Sequence, residues 1–150
     1  MTDKVQFELV SPEKLLLSAD VAMVVIPGGE GNFGVLPGHS LLISTVRPGV
    51  IDVYADKVVS ERIFVSGGFA EVTPERCTVL ADEAMPVSSI DRGASETEAK
   101  AAESELGTLR VEANRAAGED KIEANLNLRA AERRVAVAQA KLDAFKANAH

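Results

Sequence analysis

The sequence predicts an α+β chain, with a strand-built sandwich over residues 1–87 followed by an antiparallel two-helix hairpin over 88–150. Three observations predict it. All six prolines, Tyr54 and four of the five phenylalanines precede residue 87, whereas sixteen of the twenty-two alanines follow it, so two regions obey different folding rules. Before the break, short apolar runs recur at close intervals, each bounded by Pro, Gly, Ser or Asp. After the break, apolar positions recur at alternating steps of three and four, the spacing of one helix face.

Taken in order, Val5, Phe7 and Leu9 alternate with Gln6 and Glu8, which sets one side inward and one outward. Leu15 to Leu17, Val21 to Ile26, Leu41 to Val46, Val50 to Tyr54, Val58 to Val65, Phe69 to Val72 and Thr78 to Leu80 follow as further strands. Crossover helices, which a parallel sheet needs, have no room between them. A two-sheet sandwich or flattened barrel is the consequence. Ser66-Gly67-Gly68 reads as a tight turn or bulge where two sheets meet, since no lysine follows to make it a phosphate cradle.

The helical punctuation is explicit. Ser95-x-x-Glu98 forms a capping box for the first helix, whose seam runs through Ala99, Ala102, Leu106, Leu109, Ala113 and Ala116. Gly118 reads as the stop at C′, and Asp120-x-x-Glu123 caps the second helix. Its seam is Ala124, Leu128, Ala131, Val135, Ala138, Leu142 and Phe145. Alanine lets the helices approach closely but buries little area. The larger seam side chains contribute about 1.5–3 kcal/mol each when fully buried, while ordering the backbone costs about 1–2 kcal/mol per residue. Gly107 lowers the first helix further, by about 0.5–1 kcal/mol relative to Ala. A weakly held hairpin, able to leave the surface it docks on, is the expectation.

Composition excludes several functions. A formal charge of −7 argues against a nucleic-acid partner, because binding a phosphate backbone needs a cationic face. Cys77 is the only cysteine; in Arg76-Cys77-Thr78-Val79-Leu80 it reads as a small buried hydrophobe. The opening Met-Thr-Asp-Lys-Val-Gln-Phe is neither a signal nor a transit peptide, and no apolar run has the length of a membrane span. The chain reads as soluble and cytoplasmic, meeting a membrane only through a partner.

One stretch imitates chemistry. Gly29-x-Gly31-x-x-Gly34 follows an apolar run and matches the dinucleotide fingerprint on spacing, with Asp52 as a ribose partner. That fingerprint needs a helix beginning at its last glycine. Pro37-Gly38 lies too close behind Gly34 for one, so the stretch reads as an ordered turn between two strands. His39 and His150 are too far apart in character, one in a turn and one at the terminus, to build a metal site or a Cys–His pair. Asp82 and Glu83, placed on a strand, point to opposite sides and share no acid–base role. Binding or coupling is therefore the reading, with no catalytic residues, metal site or cofactor. In the second helix, Arg129, Arg133, Arg134, Lys141 and Lys146 outnumber Glu132 and Asp143. Either a solvated face or an acidic protein partner accounts for that bias.

Several motifs carry a specific resemblance. Glu30-Gly31-Asn32-Phe33-Gly34-Val35-Leu36-Pro37-Gly38-His39, Val46-Arg47-Pro48-Gly49, the run Phe64 to Val72, Thr78 to Ala84 and Ile90-Asp91 resemble the epsilon subunits of F-type ATP synthases, in order and spacing, over nearly the whole chain. The match is to the bacterial form, without an import sequence. The resemblance implies a ten-stranded antiparallel β-sandwich followed by a helical hairpin, at the foot of the central stalk. It implies that the sandwich binds the gamma subunit and the c-ring, turns with the rotor and helps couple proton flow to ATP synthesis at the inner face of the plasma membrane. Positions matching Glu30, Gly31 and Asn32 form the ring-facing loop, and the one matching His39 lies near the stalk contacts.

In several bacterial members the hairpin extends and blocks ATP hydrolysis by meeting the beta subunit, and Arg129, Arg133 and Arg134 are the candidates for that contact. Some members bind ATP through Ile-Asp-x-x-Arg-Ala. Here Ile90 and Asp91 are present, but Ala94 replaces the arginine and Met85 stands where ATP binders have Glu. A nucleotide-sensing module is the alternative this degenerate motif leaves.

Overall fold

Alternation decides the first strand of the computed structural model, which describes residues 4–148. In β1 (Val5–Val10) the side chains of Val5, Phe7 and Leu9 are enclosed while Gln6, Glu8 and Val10 remain half open. The chain continues through β2 (Leu15–Val21), β3 (Met23–Gly28), β4 (Gly31–Val35), β5 (Leu42–Val46), β6 (Gly49–Ala55), β7 (Val58–Val65), β8 (Gly68–Val72), β9 (Arg76–Ala81) and β10 (Ala84–Pro86). A 3₁₀ turn, Val87–Ser89, precedes the helices α1 (Arg92–Arg115) and α2 (Glu119–Asn148). Two units divide the chain, one ending at Ser89 and the other beginning at Ile90.

The ten strands form one hydrogen-bonded path, β10-β7-β6-β3-β5-β8-β9-β1-β2, with β4 added on β3. The path folds over itself at β3. Met23 to Val25 pair with β6, whereas only Gly28 pairs with β5, opposite Val46. Between those two partners the chain turns a corner at Arg47-Pro48, where the Arg47 amide donates to the Pro27 carbonyl at 2.9 Å. Two layers result, and their inner faces share one apolar cluster: Val24, Ile26, Ile51, Val53 and Val65 from one, Phe7, Leu9, Val46, Val72 and Val79 from the other. This is a sandwich, closed by side chains of both sheets.

Most pairings are antiparallel, but β1 lies parallel to β9, from Gln6 opposite Arg76 to Val10 opposite Leu80. Parallel neighbours need a long connection, and nearly the whole sandwich separates these two. At the crossing from β7 to β8, Ser66-Gly67-Gly68 makes the inter-layer turn the sequence predicts. Gly68 has φ +148°, and a Cβ there would stand 1.9 Å from the Leu80 carbonyl oxygen. Only glycine fits such an approach. Asp82 and Glu83 occupy the β9–β10 turn and not a strand, so the opposed-face argument does not apply to them. Their backbone serves the crossing: Ser66 N–H donates to the Glu83 carbonyl at 3.0 Å and Asp82 N–H to the Gly67 carbonyl at 3.2 Å.

The helices keep the predicted seam but shift the caps. Every seam position from Ala99 to Ala116 and from Ala124 to Phe145 is buried or half-buried. The N-cap of α1, however, is Asp91, whose carboxylate accepts from Gly93 N–H at 3.0 Å. Ser95 lies inside the helix, buried, with its N–H on the Asp91 carbonyl at 2.9 Å. An earlier aspartate satisfies the same orphan donors and adds a turn, which an Arg92–Glu96 pair at 3.0 Å supports. At the other end α1 stops at Arg115 because Ala116 is extended, with φ −72° and ψ 149°. Gly118 is therefore not the stop. With φ +64° it makes the left-handed step into α2, whose first turn holds Glu119 and Asp120. Asp120 is thus a first-turn residue favourable to the dipole and not the cap. Lys121 reaches back, its ammonium donating to the Ala113 carbonyl at 2.8 Å and capping the C-terminal end of α1.

Candidate functional site

The stretch from Pro27 to His39 begins as a hairpin. Pro27 pairs with Asn32 and Gly28 with Gly31 across a two-residue turn, Gly29-Glu30. The glycine spacing thus spans two antiparallel strands, and Gly34 pairs with Val25 inside β4 with no helix behind it, which ends the dinucleotide reading. Local geometry explains two of these glycines instead: a Cβ on Gly29 would lie 2.3 Å from Thr45 Oγ1, and Gly31 has φ +143°, whereas nothing crowds Gly34 closer than 3.7 Å. The neighbouring Gly28 is crowded by backbone and ring: a Cβ there would lie 2.7 Å from the Gly31 carbonyl oxygen and 2.9 Å from the Phe33 ring.

This tip is cross-linked to the β5–β6 corner. The Arg47 guanidinium donates to the Gly28 carbonyl and to Asn32 Oδ1, each at 2.5 Å, and Gly29 N–H donates to the Thr45 carbonyl at 3.0 Å. Of the three predicted loop residues, Gly31 and Asn32 therefore belong to β4, and Asn32 is held from the side. Glu30 stands exposed at the apex. His39 lies between β4 and β5, half-buried, with Nδ1 2.7 Å from the Ser40 carbonyl oxygen and its N–H on the Leu36 carbonyl at 3.1 Å. Gly38 N–H ties the same loop to the Pro74 carbonyl at 2.8 Å. The structure does not bring His39 into the Arg47 cluster.

A second surface emerges from register. Thr45 lies opposite Phe69, Phe69 opposite Leu80, Leu80 opposite Val10, and Val10 opposite Leu15. Their strand neighbours Val46, Ala70, Val79 and Leu9 face the core, so this row faces out. Phe69 is 59% exposed, Leu80 46% and Leu15 56%, with Ile43 beside them at 77%. Sequence reading takes each of these as one residue of a strand. The signal that unites them is register, which no single run carries.

On the hairpin, Arg129 and Arg133 are exposed and form no ion pair among the described residues, whereas Arg134 is bonded to Glu105 of α1. A second bridge joins Lys141, buried, to Glu98 at 3.2 Å. Glu98 and Glu105 are one heptad apart, as are Arg134 and Lys141, so the bridges are successive rungs of one antiparallel register. Ile90 is buried, and the Asp91 carboxylate of the nucleotide-like motif is occupied in capping α1. Arg92 is engaged with Glu96.

The remaining reactive groups are dispersed. Cys77 lies in the core, and burial pushes its thiol up to about 12. Among the described residues no group of three or more His, Cys, Asp and Glu side chains is arranged to hold a metal. His150 lies outside the described residues. A crevice of about 180 Å³ beside β2 and β6 is lined by Lys4, Asp20, Tyr54, Ser60 and Glu61, with neither His nor Cys. No helix among the described residues is long and apolar enough to cross a membrane.

Fold and surfaces define a class: a small sandwich-and-hairpin protein with an outward, partly apolar row on its sheet. The family described as "ATP synthase, Delta/Epsilon chain, beta-sandwich domain" matches residues 4–87. The ATP synthase epsilon chain of Rhodospirillum centenum is 52% identical over 145 residues, covering 95% of this chain and 92% of that one. That of Rhodospirillum rubrum is 53% identical over 116 residues, 77% of this chain and 87% of that one. A chain in the structure of the Euglena gracilis mitochondrial ATP synthase, OSCP/F1/c-ring, shares the fold with a TM-score of 0.64 at 24% identity, covering 100% of this chain and 84% of that chain. The chain belongs to the ATP synthase delta/epsilon family, among its epsilon chains.

Proposed function

We propose that the chain is a non-catalytic rotor subunit that couples rotation of the c-ring to ATP synthesis in the catalytic head of a proton-translocating ATP synthase. The observation that carries this reading is the outward row Thr45-Phe69-Leu80-Val10-Leu15, whose Phe69, Leu80 and Leu15 are exposed to water on a sheet whose other side is already a core. Such a row marks a protein-binding face, and the gamma subunit is the partner assigned to it. His39, shortly before β5, is the further stalk contact. The tip with Glu30, Gly31 and Asn32 rests on the c-ring, so rotation of the ring is passed to the stalk through a rigid sandwich.

The hairpin is the regulatory part. Arg129 and Arg133 offer free cations to an acidic segment of the beta subunit when the helices extend, and Arg134 joins them once it leaves Glu105. In this reading the chain is peripheral, on the cytoplasmic face of a bacterial inner membrane, held there by the complex. The test is binding of gamma by the purified chain. Phe69→Asp weakens it at least tenfold while circular dichroism stays native; unchanged binding rejects the assignment of the row. Hydrolysis by the assembled head is compared with the full chain and with one cut after Ile90. The shortened chain assembles and couples, and hydrolysis rises if the helices restrain it.

A further inference from the structure

We infer that Arg47 is the positioning residue of the ring contact: it holds the Gly29-Glu30 turn in one place by bonding both strands of its hairpin, and so stiffens the part through which load passes. The inference rests on the reading that this tip meets the ring. Its geometry is independent of that reading. One guanidinium donates to the Gly28 carbonyl on β3 and to Asn32 Oδ1 on β4, either side of the two-residue turn. The backbone of the same residue is fixed to Pro27, and the neighbouring Thr45 carbonyl accepts from Gly29. Four bonds thus converge on a six-residue segment from a corner 15 and 19 residues away along the chain for the two side-chain bonds.

Arginine suits this place because its planar fork supplies several donors in fixed directions, and both acceptors are oxygens with no competing cation. Lysine would supply one compact charge without the fork. The sheet holds the hairpin only as far as Gly28, which pairs with Val46 of β5; beyond it the exposed turn gives more easily, and bracing from the side lets it pass force with less give. The bracing also divides labour within the tip. Asn32 Oδ1 already accepts from Arg47, so its two carboxamide N–H donors are the larger part of what Asn32 presents outward, beside one remaining oxygen lone pair. Glu30, exposed and without an ion pair among the described residues, is the charged acceptor of the tip. The ring surface that fits this tip carries a donor or cation opposite Glu30 and a carbonyl or carboxylate opposite Asn32.

Two measurements test it. In the isolated chain, Arg47→Gln speeds amide hydrogen exchange at residues 29–32 by about tenfold or more, as expected for loss of charge-assisted bonds, while exchange in β1 and β7 stays native. Arg47→Lys falls between. In proteoliposomes holding the complete ATP synthase, Arg47→Gln lowers synthesis driven by an imposed proton gradient several-fold with gamma affinity unchanged. Asn32→Ala removes that shared bond and the donor Asn32 offers the ring and produces a loss of its own, while the double variant falls short of the two losses combined, because the Arg47–Asn32 bond is counted in both. The inference is overturned by native exchange at the tip in Arg47→Gln, by native synthesis despite faster exchange, or by additive losses. Failure of the unmutated chain to restore coupling to complexes lacking it would instead reject the proposed function, and the exchange result would still decide whether Arg47 orders the tip.

Discussion

The two units solve the burial problem differently. In the sandwich, Phe7, Leu9, Ile26 and Ile51 are wholly enclosed, so large side chains supply most of the area removed from water. In the helices, the buried apolar residues from Ala99 onward are six alanines and Leu142. Small side chains bring the two axes close and leave little transfer energy, so the hairpin leans on its ends and edges: the Asp91 cap, Lys121 on the Ala113 carbonyl, and the Glu98–Lys141 and Glu105–Arg134 bridges. Stability in the first unit is mostly apolar, with the Asp52–Arg62 and Glu8–Arg76 pairs at its surface. In the second it is partly electrostatic and open to adjustment, which suits a unit proposed to change shape.

Four interventions sharpen or break this contrast. The largest is Phe7→Ala, which empties the centre of the sandwich and costs about 3–5 kcal/mol, read as a drop in the urea midpoint followed by strand amide protection. A loss below about 1 kcal/mol would mean that the core is not what holds this unit. Next comes alkaline pH. Burial lifts the Cys77 thiol from 9.0 to about 12. The folded state therefore keeps the proton that the unfolded chain releases, and the contribution is complete below about 9 and lost as pH rises through about 12. Between those values sandwich stability falls by about 1.4 kcal/mol per pH unit more steeply than in Cys77→Ala; equal slopes would refute it.

Smaller effects belong to the helices. Glu98→Gln removes one rung and lowers hairpin stability by about 1 kcal/mol, since the glutamate is half in water. Added salt, which shortens the screening length from about 10 Å at 0.1 M to about 3 Å at 1 M, weakens the native hairpin and leaves the variant less affected. Equal salt responses would show that the Glu98–Lys141 bridge contributes nothing. The smallest change is a gain: Gly107 sits in α1 with nothing within 4 Å of an added Cβ, so Gly107→Ala raises helix stability by about 0.5–1 kcal/mol, read from hydrogen exchange of α1.

Much of this molecule was legible in advance. Eight apolar runs became strands because alternation and turn residues are written locally, and the helical seam appeared position by position for the same reason. Two strands escaped the pattern: β4 carries Gly31 and Gly34 and encloses only Val35, and β10 has three residues. Caps shifted by a few residues because Asp91 and Ser95 are both competent N-caps, and only the backbone ahead of them chooses. The tip was readable as part of a turn from Pro37-Gly38 close behind Gly34, and its ring-facing role only through resemblance to known relatives, whereas the arginine that holds it was not readable.

Which side of each strand or helix turns inward was determined by the sequence alone, since side-chain direction follows from 2- and 3.6-residue periods that neighbouring residues impose on one another. Which strands become neighbours was decided only in three dimensions. The parallel seating of β1 on β9, the outward apolar row, the heptad rungs between the helices and the grip of Arg47 on Asn32 all join residues far apart in the chain. Such contacts form only when distant segments close on each other, and no local period encodes that closure.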